Sequence, residues 1–155
     1  MGKLKPILLL AFCLVLSLPG YAQKGLNINH IFEDIGKQKG TLIQLGPDVL
    51  SPQTNIVLYK SLRIKANSDL LETIENALAK DTKSAKILLS SDRKKEGSKT
   101  THYELKKKEN VPFYEYILFN YSNGYISLVY LKGNFSSGEL KNELNKLKDL
   151  FIELK

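Results

Sequence analysis

The spacing of apolar residues predicts a short helix near the start of the folded part of the chain. Apolar residues at positions 28, 31, 32 and 35 share one helical face. Asn27 or Asn29 is placed to cap this helix, and Gly36 is placed to end it. A strand at Thr41–Leu45 is predicted next, and the Gly, Pro, Asp and Ser residues of 46–52 predict a loop.

The following segment predicts a long strand and then a helix. Residues 55–65 alternate between two faces, with apolar positions 56, 58, 62 and 64 on one face and Lys60 interrupting them. Ser68 or Asp69 begins a helix that turns positions 71, 74 and 78 inward. The apolar period therefore changes from that of a strand to that of a helix near residue 68.

A second helical stretch is predicted at 83–93, where positions 85, 88 and 89 are apolar. Glu96-Gly97 then predicts a turn, and residues 98–106 predict a strand. With these segments, the middle of the chain contains two consecutive helices between strands.

The clearest local signal is a hairpin around Asn123-Gly124. Both residues of such a two-residue turn adopt positive φ, which Asn and Gly tolerate best. The register set by this turn places a polar pair and an opposite-charge pair across the strands, as expected for a stable sheet. The predicted pairs are Tyr121 with Ile126, Asn120 with Ser127, Phe119 with Leu128, Ile117 with Tyr130, and Glu115 with Lys132.

The chain ends in a predicted amphipathic helix. Ser136 and Glu139 have the spacing of a capping box, and apolar residues recur at positions 140, 144, 147, 151 and 154. Neighbouring strands with helices between them indicate an α+β fold. We expect a mainly antiparallel sheet of about five strands with three to four packed helices.

Residues 1–22 have the pattern of a cleavable signal peptide. Lys3 and Lys5 precede an apolar run at 7–18, and Ala22 and Gln23 flank the expected cleavage point. The apolar run is too short for a membrane-spanning helix, which needs about 20 residues. We therefore expect residues 23–155 to form a single α+β domain that is periplasmic or secreted, with no transmembrane span after cleavage.

The single cysteine of the chain falls inside the predicted signal peptide. Cys13 follows Phe12 in the middle of the apolar run, and this position does not fit a lipoprotein processing site, so we expect no lipid anchor. The exported chain then has no thiol, which excludes disulfides, cysteine metal sites and thiol nucleophiles.

Positive charge is concentrated in one segment. The chain carries a net charge of +7, and residues 80–108 contain ten Lys or Arg against four Asp or Glu. Such a field can attract an anionic envelope surface, although runs of charge are most often a solvated face. Nucleic acid is disfavoured because no aromatic residue for base stacking lies between 80 and 102. The candidate anion contacts are Arg93, Lys94, Lys95, Lys106, Lys107 and Lys108.

No catalytic, metal or cofactor motif is evident. The segment 36–41 resembles a phosphate loop only superficially, since a helix precedes it and no Lys follows Gly40. His30, Glu33 and Asp34 share a polar helix side, which is a weak metal site without further ligands. A hydrolase built on two carboxylates, drawn from the aspartates at 48, 81 and 92, remains an alternative for an enzyme.

The hairpin is apolar on both faces, which a sheet covered on one side would not be. One explanation is that helices of this chain cover both faces. The other is that the second face is exposed and binds a partner, since tyrosines are common in protein interfaces. The candidate partner-binding residues on that face are Tyr114, Tyr116, Leu118, Val129 and Leu131.

Several segments together resemble small exported domains of unknown function from Bacteroidota. The similarity is carried by Tyr21-Ala22-Gln23, Ile31-Phe32, the segment 36–40, Leu58-Tyr59-Lys60-Ser61-Leu62 and the hairpin ending at Tyr130–Gly133. The resemblance implies a periplasmic or surface-exposed location in a Gram-negative cell. It implies no catalytic residue and no cofactor.

These observations favour an exported, non-catalytic protein-interaction domain whose partner is an envelope protein. A small hydrolase or ligand-binding protein is one alternative, and it requires a pocket with convergent polar groups. Binding of an anionic envelope surface through the basic segment is the other alternative.

Overall fold

A computed structural model describes residues 25–36 and 39–153. The predicted signal peptide, the cleavage point at Ala22 and Gln23, and the last predicted apolar helix position, Leu154, lie outside these residues. The helices are α1 (Ile28–His30, continued by a π-helical segment Ile31–Gly36), α2 (Pro47–Leu50), α3 (Ser68–Asp81) and α4 (Leu140–Glu153). The strands are β1 (Thr41–Leu45), β2 (Ile56–Lys65), β3 (Lys86–Arg93), β4 (Ser98–Glu104), β5 (Tyr114–Ser122) and β6 (Tyr125–Gly133).

The strands form one six-stranded sheet in the order β1-β2-β6-β5-β4-β3, and every neighbouring pair is antiparallel. The α+β class is therefore confirmed, with six strands rather than five. Strands β1 and β3 lie at the two edges of this sheet. Among the described residues, no helix is both long and apolar enough to cross a membrane.

The predicted hairpin is confirmed in every pair. Asn123 and Gly124 have φ angles of 54° and 78°, and the strands β5 and β6 pair in the register expected from a two-residue turn. This hairpin lies at the centre of the sheet, between β2 and β4. Local turn chemistry thus sets the register on which both apolar faces depend.

The prediction of a second helix at 83–93 is wrong. Residues 86–93 form β3, which pairs with β4 through a tight turn that ends at Gly97 with a φ of 63°. The irregular register between Ile87 and Leu89 explains why the apolar residues do not alternate strictly in the sequence. Pairing along β4 supplies the backbone hydrogen bonds that a helix would otherwise have made.

Two smaller expectations also need correction. The segment 46–52 contains the single helical turn α2, which begins with Pro47 in the first turn, where proline is well tolerated. Asn27 precedes α1, but its side chain makes no capping bond within that helix. The Asp81 carboxylate at the end of α3 caps α1 instead.

Helices α1 and α3 cover one face of the sheet, called face 1 here. Ile28, Phe32 and Ile74 are fully or almost fully buried there. The sheet side of this layer is built from large apolar residues of β2, β5 and β6. These include Leu62, Ile64, Ile117, Phe119, Ile126 and Leu128.

Helices α2 and α4 cover the opposite face, called face 2. Leu50 from α2 and Leu147 and Leu150 from α4 pack with residues of β2, β5 and β6. Ile56 joins this layer rather than the layer of Leu62, because a register irregularity between Ile56 and Leu58 shifts the alternation of β2. The expectation that Ile56 and Leu62 share one face is therefore wrong.

Candidate binding surfaces

The tyrosine face predicted to bind a partner lies under α4. Tyr116 and Leu131 have an exposed fraction of 0%, and Tyr114, Leu118 and Val129 are partly buried in the same layer. The Tyr116 hydroxyl donates a hydrogen bond to the backbone carbonyl of Phe135 at 2.8 Å, and the two rings stack with centroids 5.1 Å apart. The expectation of an exposed face is wrong at Tyr116 and Leu131, because their side chains form the second core layer.

The predicted anion contacts lie at two separate places. Lys86 pairs with Glu104 at one end of the β3–β4 hairpin, and Arg93 pairs with Ser98 at the other end. Strand β3 has eight residues, so these ends are about 25 Å apart. The cluster Arg93, Lys94 and Lys95 is therefore distant from the cluster Lys106, Lys107 and Lys108, which follows β4 directly.

The lysines of the second cluster make different contacts. Lys106 and Lys108 line a cavity of about 310 Å³ at the open end of face 1. Lys107 instead places its ammonium group 5.4 Å from the ring centroid of Tyr114. We call the cavity of about 310 Å³ the lysine cavity. Its charged lining residues are Lys80, Lys83, Lys106, Lys108, Asp81 and Glu115.

An apolar groove lies on face 2 beside the edge strand β3. It has a volume of about 430 Å³ and is bounded by β3, β4 and the start of α4. Leu88, Leu89 and His102 form its sheet side, while Leu140 and Leu144 form its helix side. We call it the β3 groove. It exists because α4 covers the central strands and stops short of the sheet edge.

Edge strand β3 exposes unusually apolar side chains next to this groove. Ile87 is 58% exposed and Leu89 is 48% exposed. Leu89 lies on face 2 because it pairs with His102, whereas Ile87 pairs with Tyr103 of face 1. An edge strand offers unpaired backbone groups on its outer side, and proteins usually protect such edges with charge. Here the middle of the edge is apolar and the charges lie at its ends.

His102 gives the β3 groove a titratable group. Burial lowers the pKa of His102 below its ordinary value of 6.5. The unfolded chain therefore binds a proton more readily than the folded chain, so this residue makes stability fall as the pH drops below 6.5. Lys141 lines the same groove and would oppose a second positive charge there.

We expect His102→Gln to flatten this pH dependence. The melting temperature of the wild type should fall more between pH 7.5 and pH 5 than that of the variant, because only the wild type carries the shifted imidazole. Thermal unfolding at both pH values measures this difference, and carboxylates that titrate in both proteins cancel in the comparison. Equal slopes in the two proteins would contradict the assignment.

The residues considered for catalysis or metal binding do not form a site. His30 and Asp34 approach within 3.4 Å, but both side chains are mostly exposed. In the described part of the chain, no three His, Cys, Asp or Glu residues are grouped to hold a metal ion. Asp81 caps α1 on face 1, Asp48 lies in α2 on face 2, and Asp92 pairs with Lys99 near the far end of β3. The structure therefore does not bring these three aspartates together.

The sequence does not reveal the β3 groove as long as 83–93 is interpreted as a helix. A useful signal was present, since Glu96-Gly97 stands between two segments of similar length and Ser90-Ser91 interrupts the proposed helix. If these two segments are interpreted as a hairpin, Leu89 is predicted to lie on a strand. The lysine cavity was missed because its lysines come from two segments more than 20 residues apart.

Comparison with known proteins places most of the chain in one family. No curated protein matches the chain. The model of a family of unknown function (DUF6108) matches residues 15–144, which include all six strands and the beginning of α4. The match covers well over half of the sequence, and the chain therefore belongs to the DUF6108 family, whose function is unknown.

Proposed function

We propose that this chain is an exported, non-catalytic domain that binds an envelope protein at β3. The observation that carries the proposal is the exposed, apolar middle of an edge strand beside the β3 groove. A strand of the partner would pair with the free edge of β3, and its side chains on face 2 would enter the groove. Backbone hydrogen bonds supply affinity in such strand addition, and the pocket supplies specificity.

The charges along β3 indicate what kind of partner strand fits. On face 2, Lys86 and Arg93 stand at the two ends of the strand, with Leu89 between them. A segment with an apolar centre and acidic residues at both ends complements this pattern. The Arg93–Glu96 pair is exposed and separated by 3.4 Å, so it competes weakly with an acidic partner.

A second copy of this chain fits the edge less well. Antiparallel pairing of two β3 strands along their whole length would place Lys86 of each copy near Arg93 of the other. Like charges opposite one another in a sheet are destabilising. The occupant we propose is therefore an extended, acidic segment of a different protein.

Export is supported by the charge, apolar run and small residues of 1–22. The purified protein should have the mass of residues 23–155, with Gln23 at its N-terminus. Intact-mass spectrometry of protein recovered from the envelope tests this expectation. A chain that retains residues 1–22 would contradict it.

Leu89→Glu should remove the partner without unfolding the protein. The side chain is 48% exposed, so its replacement should change stability by less than about 1 kcal/mol, while a carboxylate in the groove opposes an acidic strand. Chemical cross-linking in cells followed by mass spectrometry measures which proteins are captured. The expected result is one envelope protein captured by the wild type and lost in the variant.

Ile152→Glu serves as the matched control. Ile152 is 63% exposed on α4, away from the lining of the β3 groove, so this variant should keep the partner. Lys86→Glu together with Arg93→Glu should weaken capture as well, because the proposed partner is acidic. Equal capture by wild type and Leu89→Glu, or equal loss in Ile152→Glu, would contradict the proposal.

A further inference from the structure

The lysine cavity is an open recess at the end of face 1 that α1 and α3 leave uncovered. The residues before α1, the end of α3 and the segment after β4 surround it. Its volume of about 310 Å³ is within the range of small-molecule sites, which begins near 300 Å³. The recess is therefore suited to a small group rather than to a protein surface.

No ion pair among the described residues neutralises the lysines of the cavity. Within residues 25–36 and 39–153, the ammonium groups of Lys80, Lys83, Lys106 and Lys108 form no ion pair. They come from two separate segments, 80–83 and 106–108, and converge on one recess. Lysines that repel one another at one place favour a multiply charged anion between them.

The two carboxylates of the cavity do not cancel this field. The Asp81 carboxylate is already engaged, since it accepts hydrogen bonds from the Asn27 backbone at 2.6 Å, the Asn27 side chain at 2.8 Å and the Ile28 backbone at 2.9 Å. These donors belong to the N-terminal turn of α1, whose dipole also favours the negative charge of Asp81. Glu115 is the other carboxylate in the described lining of the cavity, and none of the ion pairs among the described residues involves it.

The wall behind Glu115 contains a buried hydroxyl. Tyr130 is 2% exposed, and the Glu115 carboxylate lies close to its hydroxyl. Burial and the neighbouring Glu115 carboxylate raise the pKa of Tyr130, so the hydroxyl keeps its proton. Glu115 therefore lies between this buried hydroxyl and the cavity that it lines.

We propose that the lysine cavity binds the phosphate group of a small hydroxylated phosphate ester. A phosphate monoester carries about two negative charges near pH 7, which matches several lysine point charges. Glu115 is placed to accept a hydrogen bond from a hydroxyl group of the same ligand. The cavity lies on face 1 and the β3 groove on face 2, so this site is separate from the proposed partner site.

Titration of the purified protein with glycerol 3-phosphate tests the proposal. Amide chemical shifts of Gly25 and Ala85, which line the cavity, report binding. The expected result is saturable shifts at both residues with glycerol 3-phosphate and none with glycerol. In Lys83→Gln/Lys108→Gln, we expect the dissociation constant to rise at least about tenfold. The exposed pair Lys95→Gln/Lys148→Gln is the matched control and should bind like the wild type.

Vesicles distinguish a soluble ligand from a lipid headgroup. Binding to phosphatidylglycerol vesicles but not to phosphatidylcholine vesicles, with loss in Lys83→Gln/Lys108→Gln, would show that the phosphate belongs to a lipid. Saturation by glycerol 3-phosphate alone would show a soluble ester. The proposal is overturned if neither probe binds, or if the control pair weakens binding as much as the cavity pair does. Leu89→Glu should bind both probes normally, which separates this test from that of the partner site.

Discussion

Tyr116→Glu is expected to leave most of the protein unfolded at room temperature. The tyrosine is 0% exposed, its ring stacks on Phe135 and its hydroxyl bonds to the Phe135 carbonyl at 2.8 Å. Loss of a buried aromatic ring costs about 3–5 kcal/mol, and a buried carboxyl without a partner adds further cost. This sum approaches the total stability of about 5–15 kcal/mol that such domains have.

Urea unfolding followed by circular dichroism measures this loss. Tyr116→Phe is the matched variant, because it keeps the stacked ring and removes only one hydrogen bond. It should cost about 1 kcal/mol. A cooperative unfolding curve for Tyr116→Glu at the wild-type midpoint would contradict the placement of this residue in the core. It would indicate that the tyrosine face is exposed to solvent.

Glu143→Ala should also destabilise the protein strongly. Glu143 is only 2% exposed, and its carboxylate accepts hydrogen bonds from the Asn55 backbone at 2.8 Å, the Asn55 side chain at 3.0 Å and Lys146 at 3.0 Å. The carboxylate thus fastens α4 to the start of β2. Removing the acceptor breaks three hydrogen bonds to a charged group, so we expect a loss of about 2–3 kcal/mol in the free energy of unfolding.

Glu153→Ala is the control for this prediction. Glu153 also accepts a hydrogen bond across the fold, from Gln53 at 3.2 Å, but both groups are exposed. Its loss should cost less than about 0.5 kcal/mol, and thermal or urea unfolding compares the two variants directly. Similar small losses in both variants would show that Glu143 does not hold α4 on the sheet.

The sequence was most informative where structure is set by neighbouring residues. The Asn123-Gly124 turn determines the pairing of β5 and β6 by itself, because a two-residue loop allows only one register. The helices α3 and α4 were predictable for a similar reason, since their apolar residues recur with a helical period. These elements carry most of the buried core.

Strand β3 could not be assigned from local pattern alone. Its apolar residues at 87, 88 and 89 are adjacent, so they fit neither period well, and the register irregularity is visible only when β4 is present. Edge strands gain their backbone partners from a distant segment, in this case through a turn at Gly97. Local propensity competes poorly with such pairing.

The location of the candidate binding surfaces is decided by tertiary packing, which the local sequence pattern does not specify. The tyrosine face is apolar in any arrangement, but only the packing of α4 decides that Tyr116 is core and that Leu89 is exposed. The N-terminal cap of α1 is likewise set by tertiary structure. Asp81 caps α1 from 54 positions away along the chain, a relation that no local capping pattern predicts. The clusters of lysines are recognisable in the sequence, whereas their placement at opposite ends of the β3–β4 hairpin is not.

The most direct test of the partner site is a photo-cross-linking amino acid placed in cells at Leu89 and, separately, at Ile152. Both side chains are exposed, so neither replacement should disturb the fold. The account predicts one adduct with a different envelope protein from position 89, mapped to an extended segment with an apolar centre and acidic ends, and no such adduct from position 152. An adduct with a second copy of this chain, or no adduct at position 89 beyond that at position 152, would contradict it.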